Sequence, residues 1–245
     1  APNACTACPR DQPAIWAANA VAAWYGSPAD SVPHFSRAFH AAWEGGANAG
    51  GMLERVVRDR SESGFVRASA LSALAPHLGA PGRLATVEVG IEDADPLVRL
   101  GALEALASSA PDVRLRLAYR LLSDPTRAIR IEAARLLASV PAEGLPGGAQ
   151  DTLLAEGLTE YIDAQMVNAD HPSAHLNLGQ LWAQRGDAAR SEVAAREALA
   201  LDSMSVPAYI NLADLLRAQG RDSDVEEVLS EGLRHVPDDP ALLHA

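Results

Sequence analysis

Lysine does not occur in this chain. All twenty basic residues are arginine, set against 32 acids for a formal net charge of −12 over 245 residues. The arginines stand among acids, as in Glu54-Arg55, Arg58-Asp59-Arg60 and Arg234 near Asp238 and Asp239, and form no basic stripe. An acidic surface repels a phosphate backbone, so nucleic-acid binding is not expected. Long apolar runs are also missing. Ala14 to Trp24 is alanine-rich, broken by Asn19 and short of the roughly 20 residues a membrane span needs, so no span is expected. No charged region followed by an apolar run precedes Cys5, so no signal peptide is expected in the chain as given. Cys5 and Cys8 are the only cysteines, and no strand pattern supplies the βαβ setting of a thioredoxin-like site. Neither a second cysteine pair nor ligand-spaced histidines complete a zinc site. A nucleophile elbow, a phosphate-cradling glycine loop and paired catalytic carboxylates are all lacking, so the chain is not expected to be an enzyme.

What the sequence does have is a globular apolar content of 48 %, with a mean hydropathy of −0.02, and internal repetition. Phe65-Val66-Arg67-Ala68-Ser69-Ala70-Leu71 is echoed from Leu97 and again from Ala128, steps of 32 and 31 residues. A period of that size means stacked supersecondary units that bury their apolar faces only against their neighbours. Between residues 52 and 140 the pattern is helix, turn, helix. Met52 to Asp59, Gly82 to Val89 and Val113 to Leu122 supply the first helix of each pair, and the echoed phrases supply the second.

Residues 1–51 hold Cys5-Thr6-Ala7-Cys8 and most of the aromatics. Helices are predicted from about Pro13 to Tyr25 and from about Val32 to Trp43, with Pro33 in the first turn of the second. Trp16, Trp24, Tyr25, Phe35, Phe39 and Trp43 recur at near-helical spacing. They either pack the two helices ring against ring or form a docking surface. Gly45, Gly46, Gly50 and Gly51 read as a flexible joint. Val140 to Gly148 is the clearest break, and a helix from about Ala149 to Asn168, within a segment 149–171, is predicted to bridge two repeat arrays.

The stretch 52–140 resembles short HEAT-like repeats, in which Asp-Pro-x-Val-Arg opens the second helix. Asp95-Pro96-Leu97-Val98-Arg99 matches fully, Asp124-Pro125 carries two extra residues before Arg130, and Ser63-Gly64 lacks both signature residues. Arg67, Arg99 and Arg130 then form either an anion-binding ladder or locks to acids and carbonyls of neighbouring repeats. From Pro172 to Ala245 the period becomes 34, seen in Asn177-Leu178-Gly179 against Asn211-Leu212-Ala213 and in Gly186 against Gly220. This resembles tetratricopeptide repeats. The first unit carries His175, Leu178, Gly179, Trp182 and Ala198, and the second carries Tyr209, Leu212, Ala213, Leu216 and Pro237, with Ser191 and Gly232 standing where the motif prefers alanine. Pro240 opens a third unit, which suggests that the natural protein continues. The resemblance implies a groove that binds a protein partner, lined by Asn177, Gln180, Gln184, Asn211, Asp214 and Arg217. Leu176 and Ile210 replace the basic clamp with which some members hold C-terminal carboxylates, so carboxylate-terminated peptides are not favoured.

Finally, Pro2-Asn3-Ala4-Cys5-Thr6-Ala7-Cys8, Trp16-Ala17-Ala18-Asn19-Ala20-Val21 and Trp24-Tyr25-Gly26 resemble a family of exported multihaem c-type cytochromes whose C-terminal halves carry both repeat types. That resemblance implies periplasmic or otherwise exported localisation and a multihaem cytochrome or other electron-transfer complex as partner. Pro9 stands where the family has its haem-ligating histidine. Cys5 and Cys8 therefore either hold haem c covalently, with His34 and His40 as the nearest axial candidates, or form a disulfide or two free thiols. The expected fold is all-α, a right-handed α-solenoid of HEAT-like helix pairs followed by tetratricopeptide repeats at 172–245. The expected function is a non-enzymatic scaffold, with a haem-bearing electron-transfer subunit as the alternative.

Overall fold

The computed structural model describes residues 13–25 and 34–245. Among the described residues there are helices, 3-10 turns and connections but no strand. The chain divides into two compact units, Ala1–Met52 and Leu53–Ala245.

In the first unit, α1 spans Ala14–Tyr25 and α2 spans Ser36–Trp43. The second helix starts later than Val32 because His34 stands outside it, and the His34 Nδ1 accepts the Ser36 N–H at 3.2 Å. This occupies a donor that the first helical turn leaves unpaired. Pro33 lies outside the described residues, as do Cys5, Cys8 and Pro9. The ring-against-ring expectation fails among the described side chains. Small residues are buried instead, Ala17 and Ala38, while Trp24 is 73 % and Trp43 89 % exposed. Phe35 and Phe39 meet edge-to-face at 6.2 Å, one turn apart on the same stretch. Helical spacing puts rings on a common side without saying that anything covers it. Gly45, at φ +68°, stops α2 with the Gly46 N–H bonded to the Ala41 carbonyl at 2.8 Å. The expected joint is shorter than the glycines suggest, because Gly50 and Gly51 lie inside α3, Ala49–Arg58, which straddles the division.

The second unit is an all-α solenoid. Helices α4 (Gly64–Leu74), α5 (Leu84–Ile91), α6 (Pro96–Ala105), α7 (Pro111–Ala118) and α8 (Arg127–Leu137) follow one another, with α4, α6 and α8 packed in sequence. The buried stripe of α4 is Arg67, Ala70, Leu71 and Leu74, at i, i+3, i+4 and i+7. Phe65, first residue of the echoed phrase, lies outside the stripe and is 70 % exposed. Packing is close enough that a Cβ on Gly101 would come within 2.6 Å of the Ala68 carbonyl oxygen.

The two extra residues counted before Arg130 are not an insertion. The N-caps are Ser63, Asp95 and Thr126, so Asp124 occupies the position of Asp93, six residues before its arginine. Asp93 accepts the Asp95 N–H at 2.9 Å and Asp124 the Thr126 N–H at 2.8 Å. Gly64, at the place of Pro96, has a reason: a Cβ there would stand 1.7 Å from the Asp95 carboxylate.

The phased arginines are locks between repeats. Arg67 reaches Asp93 at 2.5 and 3.3 Å, and Arg99 reaches Asp124 at 2.8 and 3.1 Å. Arg130 reaches Glu160 at 3.0 and 2.6 Å. Arg99 also donates back to the Asp93 and Ala94 carbonyls, and Arg130 to those of Asp124 and Pro125. With each guanidinium charge paired to a carboxylate of the next unit, these arginines do not form the anion ladder. Burial works to raise the Asp93 pKa, but the Arg67 hydrogen bond, the Asp95 N–H and the charges of Arg67 and Arg60 outweigh it and hold the carboxyl below the ordinary range.

After Leu137 the chain turns through two short 3-10 segments, with Val140 and Leu145 buried. The bridging helix α9 runs Thr152–Met166, shorter at both ends than expected, because Asp151 caps it by accepting the Leu154 N–H at 3.0 Å. The same carboxylate takes the Tyr119 hydroxyl at 2.6 Å and the Gly147 N–H at 3.1 Å. Four helices follow as two pairs: α10 (Pro172–Gln184) with α11 (Ala188–Leu201), and α12 (Val206–Ala218) with α13 (Asp222–His235). Then comes α14, Pro240–His244. Gly186 and Gly220 take φ of +74° and +71° at the equivalent turns. His175 and Tyr209, 34 residues apart, both bond the carbonyl six residues back, at 2.8 Å to Ala169 and 3.2 Å to Ser203. The two departures from alanine are also explained. The buried Ser191 hydroxyl donates to the Gly179 carbonyl at 2.9 Å, and a Cβ on Gly232 would press within 3.0 Å of the Tyr209 ring.

Replacing Asp93 with alanine strands the buried Arg67 charge and is expected to cost about 3–5 kcal/mol in urea denaturation, whereas an Arg67→Met/Asp93→Leu pair should recover most of that. Asp93, Asp151, Glu160 and Glu192 are all held below their ordinary pKa. Their stabilisation is complete above the unfolded carboxylate range near about pH 4 and is lost as pH falls through the lower folded values. Thermal midpoints should therefore hold from pH 7 to about 5 and decline below about 4. The Asp151 hydrogen bond, then burial and the Asp151 charge, raise the Tyr119 pKa to about 12. That contribution is full below the unfolded value of about 10 and is lost as pH rises toward 12, an alkaline slope that Tyr119→Phe should remove.

Candidate functional site

Five of the six residues expected to line a groove border two neighbouring clefts of the second unit. One, of about 490 Å³, lies between the two tetratricopeptide-like pairs and is bordered by Leu176, Gln180, Asn211, Asp214 and Leu215. The other, of about 370 Å³, lies at the junction of α8, α9 and α10 and is bordered by Tyr161, Gln165, Asn177, Gln180 and Gln184. Both volumes are within the usual range for ligand sites. Gln180 borders both.

The folding reason for this placement is the seam core beneath. Ala138, Tyr161, Leu178, Leu181 and Ala194 are buried together, with Ile131, Leu158, Ile162 and Trp182 packed against them. Turning Leu178 and Leu181 inward leaves Asn177, Gln180 and Gln184 on the open side of α10, where all three are exposed. On α12 the burial of Leu212 and Ala213 similarly leaves Asn211 and Asp214 exposed. Arg217 borders neither cleft. It bonds Asp214 at 2.7 Å and donates to the Ala245 carbonyl.

Charge in the clefts is largely paired. Glu132 and Arg135, which also border the junction cleft, bond each other, with Nε to Oε2 at 2.9 Å. The Glu132 hydrogen bond outweighs burial and raises the Arg135 pKa. Asp214, the one acid bordering the larger cleft, faces Arg217, and no basic residue lines that cleft. Leu176 borders it where a carboxylate clamp would need a cation, and Ile210 packs against the core. What remains is a set of primary amides, each offering two N–H donors and one carbonyl acceptor. Asn177 donates to Gln165 at 2.9 Å. Among the described residues Gln180 and Gln184 make no side-chain hydrogen bond.

Tyr161 and Gln165, four residues apart on α9, carry no sequence signal of belonging to a cleft. That depends on α8 and α10 flanking α9. In the first unit, His34 and His40 are exposed, and the His34 ring bonds the Ser36 hydroxyl at 2.8 Å. Among the described residues no three His, Cys, Asp or Glu gather as a metal-holding group. No described helix is long and apolar enough to cross a membrane.

Residues 183–245 match a family model described as Tetratricopeptide repeat, from the end of α10 through α14. No match was found among curated proteins or among solved structures. Tetratricopeptide repeats generally mediate protein–protein interaction through the surface that stacked helix pairs present, and Asn211 and Asp214 of the larger cleft fall within the matched segment.

Proposed function

We propose that this chain is a non-enzymatic scaffold that binds a protein partner along its repeat face, with Asn211, Asp214 and Gln180 facing the partner. The observation that carries the reading is the 490 Å³ cleft between two helix pairs, bordered by Gln180, Asn211, Asp214 and small apolar residues, with its lining from Ala183 onward inside the region that matches the repeat family. Similarity of the N-terminal sequence to exported multihaem cytochromes supports the finer version: an exported, periplasmic protein whose partner is a multihaem cytochrome or another electron-transfer complex. The test is capture from the native host with the full chain against an Asn211→Ala/Asp214→Ala variant. Loss in the variant of an electron-transfer protein retained by the parent is expected. Equal retention on both overturns the repeat-face reading, and a specifically retained partner of another class overturns the electron-transfer association.

The second reading rests on Cys5-Thr6-Ala7-Cys8, which resembles a covalent haem attachment site. Its chemistry is two thioether bonds. Pro9 offers no axial ligand, so ligation would fall to residues such as His34 or His40. The expected result under the scaffold reading is a colourless polypeptide that gives no haem stain on a denaturing gel. A Soret band with sharp reduced α and β bands, lost in Cys5→Ser/Cys8→Ser, would replace it with the haem-bearing subunit.

A further inference from the structure

Resting on the scaffold reading above, we infer that the partner's path does not end at the tetratricopeptide-like pairs. It crosses the seam onto α8 and α9, where the junction cleft takes an extended polypeptide segment with uncharged side chains, held through its backbone amides.

Three observations carry this. Gln180 borders both clefts, so a segment leaving the larger one past this side chain meets the junction next. Asn177, Gln180 and Gln184 stand at i, i+3 and i+7 of α10, one ridge about 10 Å long, which is the length of about three extended residues. Their carboxamides match the alternating N–H and C=O groups of an extended backbone. Opposite them Tyr161 is only 5 % exposed, yet its hydroxyl has no hydrogen-bond partner among the described residues. The fully buried unpartnered side-chain atoms found there are the Nε of Arg67 and of Arg114, so the Tyr161 hydroxyl keeps access to the cleft. Burial raises its pKa, which leaves it a neutral donor.

The charge balance selects the occupant. A free carboxylate or phosphate finds no unpaired cation, because Arg135 is held by Glu132. Asn177 and Gln165 bond each other, but an apolar helix would leave the amides of Gln180 and Gln184 without partners in a closed interface, which is unfavourable. An extended backbone satisfies them.

The experiment uses the full chain and a displayed library of random 12-residue peptides. An enriched sequence is then made as a labelled, C-terminally amidated peptide and its affinity read by fluorescence anisotropy. Gln184→Ala and Tyr161→Phe should each weaken binding by about three- to tenfold, with the melting temperature unchanged. N-methylation of the central peptide amides should abolish binding. Binding that responds to Asn211→Ala but to neither junction variant overturns this inference and leaves the scaffold reading standing. Peptides that need an acidic residue or a free C-terminus overturn the neutral-backbone chemistry. Failure of any peptide to enrich above a control library overturns both.

Discussion

Arg99 shows the interaction on which the solenoid depends. One guanidinium forks onto Asp124 of the next repeat and closes back on the Asp93 and Ala94 carbonyls at the start of its own helix. A single side chain thus fixes both the loop that launches its helix and the distance to the neighbour. Charge-assisted, two-pronged bonds of this kind are directional in a way that apolar contact is not. Buried alanines and leucines supply the driving force for stacking, and the arginines set the register in which it happens.

The same logic carries the chain across a change of repeat type. Arg130 finds Glu160 on the bridging helix instead of an aspartate two residues before an N-cap, and the pair is more exposed than the two before it. Asp151 gathers Tyr119, Gly147 and Leu154 into one knot at the start of that helix. The bridging helix is therefore held from both sides, by ionic and polar bonds toward the first array and by the Tyr161, Leu178 and Leu181 core toward the second. A seam built this way leaves polar side chains on its open side, because the apolar ones are needed to join two arrays of different period.

The N-terminal unit is organised differently. Its buried residues include alanines, and Trp16, Trp24 and Trp43 are exposed. Large rings need partners of matching shape to be buried, and none of the described ring contacts joins α1 to α2.

The sequence by itself determined the all-α class, the two periods and the phases of the repeats, since each follows from local patterns of apolar spacing, glycine turns and capping residues. It also determined that Asn177, Gln180 and Asn211 stay outside the core, because their neighbours Leu178, Leu181 and Leu212 are apolar at core spacing. Only the tertiary structure decided that Asp124 pairs with Asp93 in position and not with Asp95. Counting Asp-Pro pairs along the chain could not reveal this, because register is read where an arginine meets a carboxylate some 25 residues away. Only the tertiary structure brought Tyr161 and Gln165 beside Asn177 and Gln184, because a cleft between three helices is set by their packing and no one helix encodes it.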